Sequence, residues 1–243
     1  YIEFQPKGVI GNMPAWNFPV DLSVGPLVEM LAAGNRVIIK PSEQTPAVGQ
    51  LLAEMLGDTF AREQVSVVNG GLDLARHFST LKWDHLLYTG NTAVGKEVMR
   101  NAAQNLVPVT LELGGRNPTV FTEDAVTRDN VRIMLGSKLT KNGQLCIAVN
   151  HVLVPETARD KFIGLVREVI EAAVGDYTTS PQVGCAVINA RQMERLQSYL
   201  DDARARDAKG VIEIGSPASA ANPRRTPVTA CPRADSTACR AQS

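Results

Sequence analysis

The sequence has no run of about 18 apolar residues, so no segment reads as a helix that crosses a bilayer. It also lacks any surplus of charge: Lys plus Arg total 25, Asp plus Glu total 25, and the formal net charge at pH 7 is +0. Without a basic surplus there is no field to gather a polyanion, so neither nucleic acid nor a membrane surface is expected as a partner. Cysteine is scarce, with Cys146, Cys185, Cys231 and Cys239 the four present, and no pair stands at C-x-x-C spacing. The histidines available as further ligands are His77, His85 and His151. That poverty argues against a zinc cluster, and no metal is expected. Residues 1–7 carry neither a basic start nor an apolar stretch, so no secretory signal is read, a cytoplasmic location is expected and a disulfide framework is not. Residue 1 is Tyr rather than Met, which is read as a chain that starts within a longer protein.

What is present is ordinary for a folded domain, 44% hydrophobic and 21% charged residues. A chain of this size can bury about 70% of its extended surface, so a core is expected. The first half alternates two periods. Residues 21–33 place Leu22, Leu27, Met30 and Leu31 at helical spacing, with Gly34 as the stop. Residues 36–40 form a β-branched run closed by Pro41, and 45–56 read as a helix. Strand, helix, strand, helix and strand are then expected over 65–68, 73–80, 85–88, 93–104 and 107–113. This alternation implies an α/β fold with a doubly wound parallel sheet. From about Gly114 a second unit is expected, with helices over 126–139, 158–174 and 190–206 and a strand over 148–154. Residues 216–243 hold a single sizeable aliphatic, Val228, so the segment is expected to be disordered; its composition reads as a stretch translated out of frame.

One local pattern misleads. Gly90-Asn-Thr-Ala-Val-Gly95-Lys96 follows a strand, opens a helix and fits a phosphate-cradling G-x-x-x-x-G-K loop. The next residue should be Ser or Thr to hold magnesium, but it is Glu97, whose carboxylate would repel a triphosphate. An ATPase is excluded on that ground. Two glycines at a helix N-terminus remain suited to a dinucleotide pyrophosphate.

Five motifs occur in order: Pro14-Ala-Trp-Asn-Phe-Pro19, Lys40-Pro-Ser-Glu43, Thr89-Gly-Asn-Thr-Ala-Val-Gly95, Leu111-Glu-Leu-Gly-Gly115 and Gly143-Gln-Leu-Cys146. Together they resemble the NAD(P)-dependent aldehyde dehydrogenase superfamily, in wording most like its class 3 and coniferyl aldehyde dehydrogenase branch. The resemblance runs over about residues 1–215. It implies a partial, Rossmann-like NAD(P)-binding domain over 1–113 and an incomplete α/β catalytic domain over 114–215. It also implies oxidation of a small-molecule aldehyde, possibly aromatic, to the acid; family members are homo-oligomers. By resemblance, Cys146 is the nucleophile, Asn17 an oxyanion donor acting with the Cys146 backbone N–H, and Glu112 the general base. A thiolate attacks well and later leaves as a thioester, which is the chemistry hydride expulsion requires. Lys40 and Glu43 match residues on the adenosine ribose, and Trp16, Gly90, Asn91 and Gly95 the walls of the cofactor cleft. Glu43 disfavours a 2′-phosphate, so NAD is expected ahead of NADP. Lys141 stands where the family carries Asn in its Asn-x-Gly-Gln-x-Cys motif. Two readings stay open: an oxidising enzyme, or an inactive truncated remnant with at most weak nucleotide binding.

Overall fold

The computed structural model describes residues 1–3, 5–174, 185–206, 212–214 and 228–230. The chain divides into two compact units, Tyr1–Gly115 and Arg116–Ser243.

The first unit is built on five parallel strands, β1 (Val9–Met13), β2 (Arg36–Ile39), β3 (Val65–Val67), β4 (His85–Gly90) and β5 (Val109–Leu113). They lie in the order β3-β2-β1-β4-β5. The chain runs outward from β1 to β3, then returns to the other side of β1 to lay down β4 and β5. Strand order therefore reverses between β1 and β4, the place where sheets of this kind open a crevice at their carboxyl ends. Helices α1 (Asp21–Ala32), α2 (Pro46–Thr59), α3 (Leu72–Ser79) and α4 (Thr92–Ala103) connect the strands. The period-2 alternation of β2 shows how they are layered. Val37 and Ile39 pack with Leu27 of α1 and Leu56 of α2, whereas Ile38 packs with the cluster holding Phe78, Val98 and Ala102 of α3 and α4. Helices thus cover both faces, and the doubly wound parallel sheet is the fold of this unit. Gly34 ends α1 at φ 83°, the left-handed cap its position suggested.

The central strand is the one the periodicity does not announce. Val9-Ile-Gly-Asn-Met13 has a glycine and an asparagine where an apolar run would be expected. A Cβ on Gly11 would stand 2.8 Å from Leu86 Cδ1 and 2.9 Å from both Phe78 Cε1 and Trp83 Cε2, so packing across the sheet demands the glycine. Asn12 is fully buried and donates its amide to the Leu22 carbonyl at 3.2 Å, tying β1 to the start of α1.

The second unit pairs β6 (Asn117–Val120) with β7 (Val149–Leu153) in parallel and packs α5 (Arg128–Leu139) on α6 (Arg159–Val174). Phe121, Val126, Val131, Met134, Leu135, Val166, Val169 and Ile170 form its core. Helix α7 (Ala190–Arg206) follows. Two short strands, β8 (Ile212–Ile214) and β9 (Val228–Ala230), pair antiparallel. Strand β9 corrects the expectation that nothing past residue 215 takes secondary structure. Val228 and Thr229 are β-branched and meet Ile214 and Glu213 in register, which suffices for a short ladder. The rest of the segment read as disordered lies outside the described residues. No helix among the described residues is long and apolar enough to cross a membrane.

Candidate active site

In the first unit, the residues singled out by sequence collect at the carboxyl ends of the parallel strands. Trp16 and Asn17 are half-buried on the turn between β1 and α1. Lys40 leaves the end of β2: its N–H donates to the Asn12 carbonyl at 2.9 Å, extending the ladder by one residue, and its side chain is 2% exposed. The buried ammonium is neutralised by Glu43, Nζ to Oε2 at 3.1 Å. Burial pushes the Glu43 carboxyl up, but its own backbone amide, Lys40 and Gln44 together pull it below the ordinary carboxylate value. Such an ion pair, half in and half out of water, presents carboxylate oxygens at the surface of the edge.

Strand β4 delivers the next group. Gly90 ends it, Asn91 caps α4 by accepting the Ala93 N–H at 2.8 Å, and Gly95 sits one turn in. Both glycines are required by packing, since a Cβ on Gly90 would overlap the Tyr88 hydroxyl and one on Gly95 would stand 2.8 Å from Leu113 Cδ2. The N-terminus of α4 is thus capped by the Asn91 side chain, and its glycines are the points where Tyr88 and Leu113 close against the backbone; the helix dipole gives this end a positive character. Tyr88 was not singled out by sequence. Its ring is buried in the core and burial, with the nearby Glu43 charge adding to it, raises the phenol above its ordinary value despite an opposing contribution from the Asn91 backbone. Glu112 lies on β5 opposite Thr89, exposed, while its neighbours Leu111 and Leu113 turn into the core. The strand alternation thus keeps this carboxylate in water and spares it a desolvation cost.

Cys146 belongs to the second unit and is exposed. Its approach is unusual backbone: Lys141, Asn142 and Gly143 have φ of 49°, 55° and 73°, three consecutive left-handed residues. Lysine tolerates that region poorly, asparagine better and glycine freely. Side chains hold the turn in place. Gln144 donates to the Lys141 and Ala186 carbonyls, each at 3.0 Å, and accepts the Ile188 N–H at 3.0 Å. Asn142 donates to the Cys185 carbonyl. After the cysteine, Asn117 donates to the Cys146 and Ala148 carbonyls at 2.7 and 2.9 Å. Lys138 stands behind the turn, its Nζ 3.3 Å from the place a Gly143 Cβ would take; burial first, then the Arg116 charge, hold its amine below the ordinary value. Gln144 was legible in the Gly-Gln-x-Cys motif, whereas Asn117 carried no signal beyond following two glycines and an arginine. Among the described residues no group of His, Cys, Asp and Glu is arranged to hold a metal ion.

The aldehyde dehydrogenase family model matches residues 1–228. The chain belongs to the aldehyde dehydrogenase family. Within the family it is 46% identical over 207 residues to the probable coniferyl aldehyde dehydrogenase of Pseudomonas aeruginosa, covering 85% of this chain and 43% of that protein. To aldehyde dehydrogenase family 3 member A2 of Rattus norvegicus it is 36% identical over 201 residues, 83% of this chain and 42% of the relative. Among solved structures, Mycobacterium tuberculosis aldehyde dehydrogenase complexed with NAD+ superposes with a TM-score of 0.77 at 30% identity, over 87% of this chain and 44% of that one. The chain thus spans less than half the length of these aldehyde dehydrogenases.

Proposed function

We propose that the protein carrying this chain oxidises an aldehyde to its carboxylic acid with NAD as the acceptor, and that its substrate is an aromatic aldehyde of the coniferyl type. The substrate reading rests on the resemblance to the Pseudomonas aeruginosa relative, whose name carries that aldehyde. The observation that carries the reaction class is the setting of Cys146: an exposed thiol at the end of a turn whose backbone is held on both sides by side-chain amides. The thiolate would add to the aldehyde carbonyl, and the Asn17 amide with the Cys146 N–H would stabilise the oxyanion. Loss of a hydride from that adduct as its carbonyl re-forms would leave a thioester on Cys146. Glu112, exposed and unencumbered by the core, would take a proton from the water that hydrolyses it.

The residues of the first unit fit a dinucleotide. Lys40 and Glu43 present a buried cation and a partly exposed carboxylate at the end of β2, suited to ribose hydroxyls, and the Glu43 charge disfavours a 2′-phosphate. By the family resemblance Gly90, Asn91 and Gly95 would meet the pyrophosphate and Trp16 would wall the cleft, a reading supported by the positive end of the α4 dipole at these residues. When bound, the nicotinamide supplies the hydride acceptor.

Following NADH absorbance with coniferyl aldehyde tests this reading. Turnover by the unmodified protein is expected, and Cys146→Ala should lower it by roughly 10³-fold or more while leaving the circular dichroism spectrum unchanged. Undiminished turnover in that variant would remove Cys146 from the mechanism. A rise in melting temperature with NAD but no turnover would favour the binding-only reading.

A further inference from the structure

We infer that Asn117 is a positioning residue for the nucleophile: its carboxamide holds the two peptide groups on the C-terminal side of Cys146, those of Cys146–Ile147 and Ala148–Val149, and so fixes the backbone from which the Cys146 N–H and side chain project. The inference rests on the reading of Cys146 as the nucleophile. Three observations meet at this residue. Both amide hydrogens of Asn117 are used, one on the Cys146 carbonyl at 2.7 Å and one on the Ala148 carbonyl at 2.9 Å. These acceptors bracket Ile147, so the two bonds fix the turn that leaves the cysteine. The clamp is itself anchored, because the Asn117 N–H donates to Asn150 Oδ1 at 3.2 Å.

That anchor lies where β6 and β7 slip. Asn117 pairs with Val149 but Pro118 pairs with His151, leaving Asn150 as the extra residue of a bulge. Pro118, which has no N–H to give the ladder, occupies the slipped position. A bulge re-aims side chains, and here it frees the Asn150 amide to meet the backbone of Asn117. Asn117 reaches no thiol in this arrangement. It acts on backbone carbonyls, and its effect should be felt by reactions that put charge on the carbonyl oxygen of a substrate, not by every reaction of the sulfur.

Two reagents separate these. With p-nitrophenyl acetate the thiolate attacks the acyl carbon, an oxyanion forms and collapses, the bond to p-nitrophenolate breaks, and a thioester is left. With iodoacetamide the thiolate displaces iodide at carbon and no oxyanion forms. Both modify the protein without NAD, and peptide mass spectrometry assigns the modified cysteine. In Asn117→Ala the rate of Cys146 acylation relative to its alkylation should fall at least tenfold. In Asn117→Ser, which keeps one short donor, it should fall by less, and this variant decides the matter if the alanine protein does not fold. An unchanged ratio in a folded variant overturns the role of Asn117 alone. Acylation of Cys185 as fast as Cys146 in the unmodified protein overturns the reading of Cys146 as nucleophile, and this inference with it.

Discussion

Lys40 and Glu43 form the charged pair at the carboxyl edge of the sheet, and the sign of their pH dependence follows from the environment. Burial raises the Glu43 carboxyl, yet its backbone amide, Lys40 and Gln44 outweigh burial, so the folded value lies below the ordinary 4.5. The folded protein then binds this proton less readily than the unfolded chain. Stability from the pair is present above the unfolded value and is lost as pH falls through the folded one. Glu43→Gln should cost about 1–2 kcal/mol in urea unfolding at pH 7, discounted for a carboxylate side chain that is 28% exposed. The difference from the unmodified protein should begin to shrink as pH falls below the ordinary value of 4.5, where the unfolded chain's carboxylate protonates first, and should be gone once pH has passed the lower folded value and the native carboxylate is neutral too. A penalty that persisted unchanged at pH 3 would show that lost packing, not charge, was responsible. At this scale residue type was legible and partner was not. The position of Lys40 after an apolar strand marked it as a strand-end cation, but only the fold shows that the ammonium is buried and that Tyr88 lies near the same carboxylate. The turn before Cys146 is similar. Gly143 is an obvious left-handed residue, whereas Lys141 and Asn142 take that conformation because Gln144 and Asn142 bind the segment around residues 185–188.

Most helices and strands fall within a few residues of where hydrophobic spacing puts them. The exceptions share a cause: both β1 and β6 are stabilised by neighbours far along the chain. Strand β1 pairs with β2 and β4 on either side, so its backbone is satisfied by the sheet and its side chains need only fit. Gly11 fits because it has none. Gly11→Ala should therefore cost about 1–3 kcal/mol, since the new methyl meets three core side chains rather than a mobile surface group. Chemical denaturation is the measurement, and a loss under half a kcal/mol would mean that the core around Phe78 and Trp83 can part without strain. Strand β6 contains Pro118 and spans Asn117–Val120, a sequence that reads as a turn until the bulge with β7 accommodates the missing N–H.

Each unit carries a core of its own, which gives the whole molecule a convenient optical asymmetry. The two tryptophans, Trp16 and Trp83, both lie in the first unit, so tryptophan fluorescence, excited apart from the tyrosines, reports that unit and not the second. Leu86 is fully buried in the cluster with Phe78 and Trp83. Leu86→Ala should lower stability by about 2–5 kcal/mol and move the fluorescence midpoint accordingly. An unmoved fluorescence midpoint would contradict the core assigned here. At this largest scale the sequence by itself determined the α/β alternation, the succession of five motifs and the residue types available for thiol chemistry, because periodicity and turn residues are local properties of the chain. The tertiary structure alone decided that Val9–Met13 is the central strand and that order reverses beside it. It also decided that Asn17, Lys40, Gly90 and Glu112 share one edge of a sheet, since parallel strands bring their carboxyl ends together whatever their separation in sequence. The clamp on Cys146 belongs to the same class. It needs a hydrogen bond across 29 residues and a bulge between two strands, and neither leaves a local trace in the chain.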